Sequence, residues 1–320
     1  MLITSHRFRL LISLVLLVVM VAALPVSAQD DLGAAAEALM SSEATFTYSE
    51  SVVTFENLGQ QIVGTLAMPD SDEAVPLVLL FHGFKGERDE LPVMNTEDGM
   101  YSRTARIFAE RGIATLRIDF RGSGDSEGEW ADTTFTGQIN DAIAALDFVS
   151  TLEGVDAERI GIIGLSQGGL VGASAAGQDA RVKSLVLWSA ANNPALNFSN
   201  LLPMETIMEG LALEDDAVLP LTLPWGEETE LRRGFFEELF LVDPVANIST
   251  YTNPLLVVVG LRDTTVSPMP WAGQVFLEYH DGEEALVVLD GDHIFDVLST
   301  GPEVLDMAIF HSLAWFMETL

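Results

Sequence analysis

Hydrophobic residues follow two patterns along the chain, and each predicts a different kind of strand. Residues 52–55 and 62–67 alternate apolar with polar or small side chains around a central Asn-Leu-Gly-Gln, which predicts an antiparallel hairpin with one polar face. Six later segments are almost continuously apolar, as is typical of strands covered on both faces: 76–81, 113–118, 159–165, 184–188, 254–260 and 285–289. The pattern therefore predicts eight strands.

Helical periodicity occupies most of the gaps between these strands. It predicts helices over residues 100–111, 136–150, 270–279 and 304–319, and a small-residue helix directly after Ser166. Strands that alternate with helices indicate an α/β fold, with a mostly parallel eight-stranded sheet flanked by helices. We expect one domain over residues 50–320.

One segment, residues 190–250, interrupts the alternation. It is much longer than the ~12 residues that a parallel crossover requires, and it is rich in apolar side chains. We expect a helical cap, with helices near 201–213 and 227–241, over the carboxyl ends of the strands, where open α/β sheets bind ligands. Most of its aromatic residues are expected to pack the cap onto the body.

The N-terminus has the pattern of a secretory signal peptide. A basic region with Arg7 and Arg9 precedes the apolar residues 10–24 and the small residues before Ala28. We expect cleavage after residue 28, a tail or short helix over 29–49, and a secreted or periplasmic protein. An uncleaved anchor is the alternative, although the apolar run is shorter than the ~20 residues of a membrane span. The absence of cysteine excludes disulfides and a lipoprotein attachment site.

The charge of the chain excludes whole classes of partner. The net charge is −33, and residues 1–28 carry two arginines and no acid, so the remaining chain has a net charge of −35. Such a surface repels nucleic acid and anionic lipid. The acidity is expected to serve solubility, including solubility in a salty habitat, and a role in repelling anionic products is the alternative. We expect a small-molecule substrate and no membrane span after cleavage. The sequence does not define the oligomeric state.

The segment Gly164-Leu165-Ser166-Gln167-Gly168 joins a predicted buried strand to a predicted helix. A G-x-S-x-G turn in this setting places its serine at the apex of a tight bend, so Ser166 is the candidate nucleophile. The backbone N–H of Gln167 would then form half of an oxyanion hole. Phe84, in the His-Gly-Phe loop after the strand 76–81, is placed to donate the other N–H, with His82 bracing that loop.

The base and the acid are expected after the last two strands. His293 follows the strand 285–289, and Asp263 follows the strand 254–260, where it can accept the second ring N–H of the histidine. Three other aspartates are weaker candidates for the acid, Asp243 because it lies in the insertion and two because they are too close to His293 in sequence: Asp290 and Asp292.

Two other constellations suggest different chemistry. Residues 119–128 form a Gly-rich loop after a strand, as a phosphate-binding or dinucleotide-binding loop would. Its spacing is not G-x-G-x-x-G and its acids would repel phosphate, so we expect a loop packed beside the turn that carries Ser166. A metal cluster could be drawn from Asp290, Asp292, His293 and Asp296. That arrangement would leave Ser166 without a base, and no second histidine has ligand spacing. We therefore expect no metal and no cofactor.

Five motifs together resemble the α/β-hydrolase superfamily and, within it, bacterial cinnamoyl (feruloyl) esterases. They are His82-Gly-Phe84, Asp119-Phe-Arg-Gly-Ser-Gly-Asp-Ser-Glu-Gly128, Gly164-Leu-Ser-Gln-Gly-Gly169, Asp263-Thr-Thr-Val-Ser-Pro268 and Gly291-Asp-His-Ile-Phe295. The resemblance implies the α/β-hydrolase fold and a cofactor-free serine esterase with a lid over its acyl pocket. We expect small to medium acyl or aryl esters as substrates, including hydroxycinnamate esters. Two alternatives stay open, a serine peptidase of the prolyl-oligopeptidase type and a non-catalytic binding protein.

Overall fold

A computed structural model of the protein describes residues 26–320, and it contains an eight-stranded sheet with strand order β1-β2-β4-β3-β5-β6-β9-β10. The pairs β1–β2 and β2–β4 are antiparallel, and all other neighbours in the sheet are parallel. The predicted fold class is confirmed. The strands of this sheet are β1 (Tyr48–Asn57), β2 (Gln60–Pro69), β3 (Val75–Phe81), β4 (Ala114–Ile118), β5 (Val155–Leu165), β6 (Val182–Trp188), β9 (Leu255–Gly260) and β10 (Glu284–Leu289).

Helices cover both faces of the sheet because its central strands are apolar on both faces. In β3, Leu77 and Leu79 face one core while Val78 and Leu80 face the other, as the alternation of side chains along a strand requires. The first core is shared with α3, α4 and α9, and the second with α1, α2 and α10. The helices are α1 (Val26–Met40), α2 (Met100–Ala109), α3 (Phe135–Val149), α4 (Gln167–Ala176), α5 (Pro194–Ser199), α6 (Met204–Leu211), α7 (Arg233–Glu238), α8 (Pro244–Ile248), α9 (Trp271–Tyr279) and α10 (Glu303–Thr319).

The segment before β1 contains helix α1, which packs against α10 and β10. Leu32 and Ala36 are buried in the second core. Residues 1–25, the greater part of the predicted signal peptide, lie outside the described residues, whereas both buried side chains follow the predicted cleavage position. Among residues 26–320, no helix combines the length and the apolarity that crossing a bilayer requires.

The insertion between β6 and β9 contains helices α5 to α8 and also a two-stranded hairpin, β7 (Val218–Thr222) with β8 (Glu228–Arg232). The predicted helix over 227–241 is therefore wrong in its first part, since a strand occupies residues 228–232 and only residues 233–238 are helical. Residues 228–232 pair with residues 218–222, and Gly226 forms the turn between the two strands with φ +88°. In β7, the buried Leu219 and Leu221 alternate with exposed neighbours, as a strand with one buried face requires.

Candidate active site

Ser166 lies at a sharp turn between strand β5 and helix α4. Its backbone has φ 53° and ψ −114°, a conformation that a residue with a Cβ atom adopts only when its surroundings impose it. The surroundings here are glycines: a Cβ atom on Gly164 would collide with the backbone of Gly168, and one on Gly168 would collide with the carbonyl of Phe81. The close approach of β5, α4 and β3 thus requires both glycines and exposes the serine at the apex of the turn.

His293 and Asp263 form a hydrogen-bonded pair across two loops at the carboxyl edge of the sheet. Nδ1 of His293 lies 2.7 Å from Oδ2 of Asp263, whose side chain is fully buried. The other oxygen, Oδ1, accepts the N–H groups of Thr265 (2.7 Å) and Val266 (2.9 Å). The carboxylate is therefore held by its own loop, so His293 donates from Nδ1 and Nε2 remains the basic nitrogen.

The other acids beside His293 have structural partners. Asp292 accepts the N–H groups of Ile294 and Asp296 through Oδ1, and Arg262 pairs with both Asp290 and Asp296. Asp243, in the insertion, caps helix α8 by accepting the N–H of residue 246 at 2.9 Å. No group of three or more potential metal ligands is assembled within the part of the chain that the structure describes.

The loop after β3 is braced from below by His82, which is completely buried. Its Nδ1 lies 2.8 Å from the carbonyl of Gly83, and its Nε2 accepts the N–H of Phe120 at 3.2 Å. Burial lowers the pKa of His82, and because Nε2 accepts an N–H while Nδ1 faces a carbonyl, the hydrogen bonds place a ring proton on Nδ1. The Gly-rich loop 119–128 supports the same region, because the buried Asp119 pairs with Arg88 and accepts that residue's N–H at 2.7 Å.

Two backbone N–H groups next to Ser166 are without an internal acceptor. Within residues 26–320, no protein oxygen accepts the N–H of Phe84 or that of Gln167. The side chain of Gln167 turns away into the protein, where Nε2 donates to Oε1 of Gln138 at 2.7 Å. The backbone of Gln167 is therefore fixed while its N–H remains available, which is what an oxyanion site requires.

A cavity of about 470 Å³ adjoins these groups. Phe84, Ser166 and His293 line it, whereas Asp263 lies behind the histidine and the Gln167 side chain points elsewhere. The wall is mainly apolar, with Leu91, Leu165, Leu201, Trp225, Ile294 and Leu298. A second cavity, of about 290 Å³, lies between residues 192–193, 243–246 and 275–279 and contains none of the predicted site residues.

The insertion reaches the cavity through the turn of its hairpin. Lys85 binds Glu227 of this turn, with Nζ 3.1 Å from Oε1, and its ammonium lies 4.7 Å from the centre of the Trp130 ring. Trp225, half exposed, donates its indole N–H to the same Glu227 at 2.9 Å. One of the two lysines of the chain thus ties the hairpin to the loop that carries Phe84.

The ring of Phe84 packs in an aromatic cluster with both the body and the cap. Its centroid lies 5.3 Å from that of Trp130, 5.2 Å from Phe198 and 5.7 Å from Phe235. Phe198 and Phe235 belong to the insertion, and Phe135, which opens α3, packs against both of them. Rings at these separations stabilise each other beyond their burial by about 1 kcal/mol a pair.

Sequence reasoning missed Glu90, which also lines the cavity. Its Oε2 accepts the N–H of Gly83 at 2.6 Å, and burial raises the pKa of its carboxyl from 4.5 to about 7. The surrounding segment, Glu87 to Leu91, is polar and has the composition of an exposed loop, so no local signal distinguishes Glu90 from its neighbours.

Comparisons with known proteins agree with this architecture. An uncharacterized 31.7 kDa protein encoded in the traX-finO intergenic region of Escherichia coli is 36% identical over 135 residues, which are 42% of this chain and 44% of that protein. This match covers less than half of that relative's length. The quorum-quenching protein AidA of Acinetobacter baumannii is 26% identical over 223 residues, 66% of this chain and 70% of AidA.

The fold is shared with solved hydrolases. A structure of Est1E from Butyrivibrio proteoclasticus with ferulic acid bound has a TM-score of 0.65 to this chain at 23% identity, over 83% of this chain and 98% of Est1E. The α/β-hydrolase fold implied by the motifs is thereby confirmed. The model described as the prolyl oligopeptidase family matches residues 100–300, and the chain belongs to that family.

Proposed function

We propose that the protein is a serine carboxylic-ester hydrolase in which Ser166 is the nucleophile, His293 the base and Asp263 its partner. One observation carries the proposal. A serine in a strained turn and a histidine whose Nδ1 is held by a buried carboxylate line one cavity, beside two backbone N–H groups that have no acceptor among residues 26–320. Each of these arrangements has a structural cost, and acyl transfer requires all three.

The proposed chemistry assigns one role to each of these groups. His293 Nε2 takes the proton from Ser166 Oγ as the oxygen attacks the ester carbonyl, and Asp263 stabilises the imidazolium that forms. The N–H groups of Phe84 and Gln167 bind the oxyanion. His293 then gives its proton to the leaving alcohol, and an acyl-enzyme remains. A water molecule, deprotonated by the same histidine, attacks the acyl carbonyl; the bond to Ser166 Oγ breaks, His293 returns the proton to that oxygen, and the acid is released.

Small to medium acyl or aryl esters fit this site. The cavity of about 470 Å³ falls within the ~300–1,000 Å³ range of small-ligand pockets, and its wall is mainly apolar. Hydroxycinnamate esters belong in the same size range, and Est1E, which shares the fold, has been solved with ferulic acid bound. The acidic surface favours neutral over anionic substrates. We further propose, from the N-terminal sequence pattern, that the protein is exported.

Replacement of the nucleophile tests the proposal. Ser166→Ala should abolish turnover of p-nitrophenyl acetate and butyrate and labelling by a fluorophosphonate probe, while the circular dichroism spectrum stays unchanged. Ser174→Ala is a matched control, because Ser174 lies in the same helix region and is buried away from the cavity. Turnover or labelling that survives in Ser166→Ala would overturn the assignment. A wild-type protein that neither turns over nor labels would favour the non-catalytic binding protein.

A serine peptidase is the second candidate, favoured by the family to which the chain belongs. The same groups cleave amides when the leaving amine is protonated by the histidine. Purified protein should be assayed against p-nitrophenyl esters from acetate to laurate, methyl ferulate and a glycyl-prolyl p-nitroanilide. Ester hydrolysis with no anilide hydrolysis supports the esterase, and the reverse order of kcat/KM supports the peptidase.

A further inference from the structure

Glu90 is an ionisable group of the cavity that the proposed mechanism does not use. Its carboxyl lies against the loop that carries Phe84, accepting the N–H of Gly83 at 2.6 Å. A Cβ atom built on Gly83 would lie 3.7 Å from Glu90 Oε2 and 3.6 Å from Ser166 Cβ, so the carboxyl and the nucleophile flank the same glycine. A Cβ atom on Gly86 would meet the same carboxyl at 2.8 to 3.1 Å.

Glu90 is held in place although its backbone conformation and its unpaired charge both destabilise the fold. Lys85 and Glu90, near the two ends of this loop, both adopt left-handed backbone conformations, with φ 64° and 57°. No lysine or arginine of residues 26–320 forms an ion pair with Glu90. Glu90 is only partly exposed, and a carboxylate that is shielded from water without a cationic partner destabilises a fold. A neutral side chain could anchor the loop with a smaller loss of folding free energy.

We propose that Glu90 is a positioning residue of the hydrolase site, which acts as a carboxylate by fixing the Gly83–Gly86 loop, and with it the N–H of Phe84, in the geometry that binds the oxyanion. The inference rests on the proposed function. A hydrogen bond to an ionised acceptor is about twice as strong as one to a neutral acceptor, so the loop is held most firmly when Glu90 is ionised. The negative charge also stabilises the His293 imidazolium that forms during proton transfer.

The charged groups around Glu90 leave it responsive to pH. Two cationic side chains share its cavity: Lys85, which pairs with Glu227, and Arg262, which pairs with Asp290 and Asp296. The other titratable groups near Glu90 are Asp292, Tyr101 and His293. The two cationic side chains are thus neutralised elsewhere. Burial raises the pKa of Glu90 to about 7, and the nearby His293 opposes that rise.

The direction of the pH effect follows from this raised pKa. The folded protein holds the Glu90 proton more tightly than the unfolded chain does, so burial of Glu90 costs least stability below pH 4.5 and the cost is fully present above about pH 7. Ionised Glu90, the form that the proposal requires for activity, therefore predominates above about pH 7, where its charge lowers the free energy of unfolding. Activity should therefore fall as Glu90 takes up its proton.

The test is the pH profile of kcat/KM for p-nitrophenyl acetate in wild type, Glu90→Gln and Glu87→Gln. Two groups that must both be deprotonated give log(kcat/KM) an acid limb whose slope approaches two, and removal of one group reduces it to one. We expect that reduction in Glu90→Gln, with kcat/KM at pH 8 lower by about 10-fold, because the charge-assisted bond to Gly83 becomes a neutral one. Glu87→Gln removes the same charge from an exposed position of the same loop and should match wild type.

Thermal unfolding provides the second readout. Glu90→Gln should melt at a higher temperature than wild type at pH 8 and at nearly the same temperature at pH 4. A glutamate that only anchors the loop would give lower melting temperatures at both pH values with no change in slope, and that result would overturn the inference. An unchanged acid limb in a folded Glu90→Gln, or a slope of one in wild type, would also overturn it. Because Ser166→Ala tests the nucleophile separately, these outcomes leave the proposed function intact.

Discussion

Replacing Asp263 by asparagine should reverse the direction of a single hydrogen bond at the site. The amide can keep its oxygen on the N–H groups of Thr265 and Val266, which Asp263 Oδ1 accepts at 2.7 and 2.9 Å. The NH₂ group then occupies the position of Oδ2, 2.7 Å from His293 Nδ1. A donor at that position requires Nδ1 to be the acceptor, so the ring proton moves to Nε2. The nitrogen that should take the proton from Ser166 then already carries one.

The size of the loss follows from this geometry. The backbone donors fix the amide orientation, since turning it over would place NH₂ against two N–H groups and leave both unpaired, at about 1–3 kcal/mol each. The wrong tautomer is thus strongly favoured, and in serine hydrolases with this triad such a change lowers kcat by roughly 10⁴-fold. That factor corresponds to about 5.5 kcal/mol of transition-state stabilisation.

The assay is steady-state hydrolysis of p-nitrophenyl butyrate at pH 8 by wild type, Asp263→Asn and Asp290→Asn. Asp290 is a matched control, because its side chain is 87% exposed and Arg262 keeps Asp296 as a partner without it. We expect kcat to fall by roughly 10⁴-fold in Asp263→Asn with KM nearly unchanged, and both values to stay near wild type in Asp290→Asn. A folded Asp263→Asn enzyme within tenfold of the wild-type kcat would refute the assignment of the acid.

Two further substitutions test the supports of the site. Tyr101→Phe removes a buried hydroxyl that donates to the carbonyl of Phe81 (2.7 Å) and accepts the N–H of Leu165 (3.0 Å). The free energy of unfolding, measured in urea, should fall by about 2 kcal/mol. A loss under about 0.5 kcal/mol would show that these two hydrogen bonds do not stabilise the fold. Glu227→Gln breaks the pair with Lys85, a partly exposed contact of about 0.2–1 kcal/mol, so KM should rise by less than tenfold and the difference should shrink in high salt. A change confined to kcat would show that the pair acts on chemistry and not on the cavity mouth.

The sheet could be predicted from the sequence because burial on both faces leaves a simple signature. Strand β3 needs apolar side chains at consecutive positions, since Leu79 faces one core and Leu80 the other, and a run of that kind is visible without any knowledge of its neighbours. The candidate site was accessible for a related reason. Ser166, Asp263 and His293 each lie within four residues of the end of a buried strand, and parallel strands bring their carboxyl ends to one edge.

The parts that escaped prediction depend on contacts between distant segments. Residues 227–241 combine a hydrophobic pattern with helix-forming residues, and the strand over 228–232 exists only because it pairs with 218–222. Glu90 belongs to a polar loop, and it shares its cavity with the loop after β10, two hundred residues further along the chain. Neither feature is encoded in the local periodicity of the sequence.

The packing of Phe84 has a consequence for engineering the enzyme. The backbone of this residue offers one of the two proposed oxyanion donors, while its ring is wedged between Phe198 and Phe235 of the insertion. A graft of the cap from a relative would consequently disturb the proposed oxyanion site as well as the wall of the cavity. Chimeras that replace residues 190–250 should therefore also replace residue 84 by the residue that packs against the new cap. Libraries that aim to change specificity alone should keep Phe84, Phe198 and Phe235.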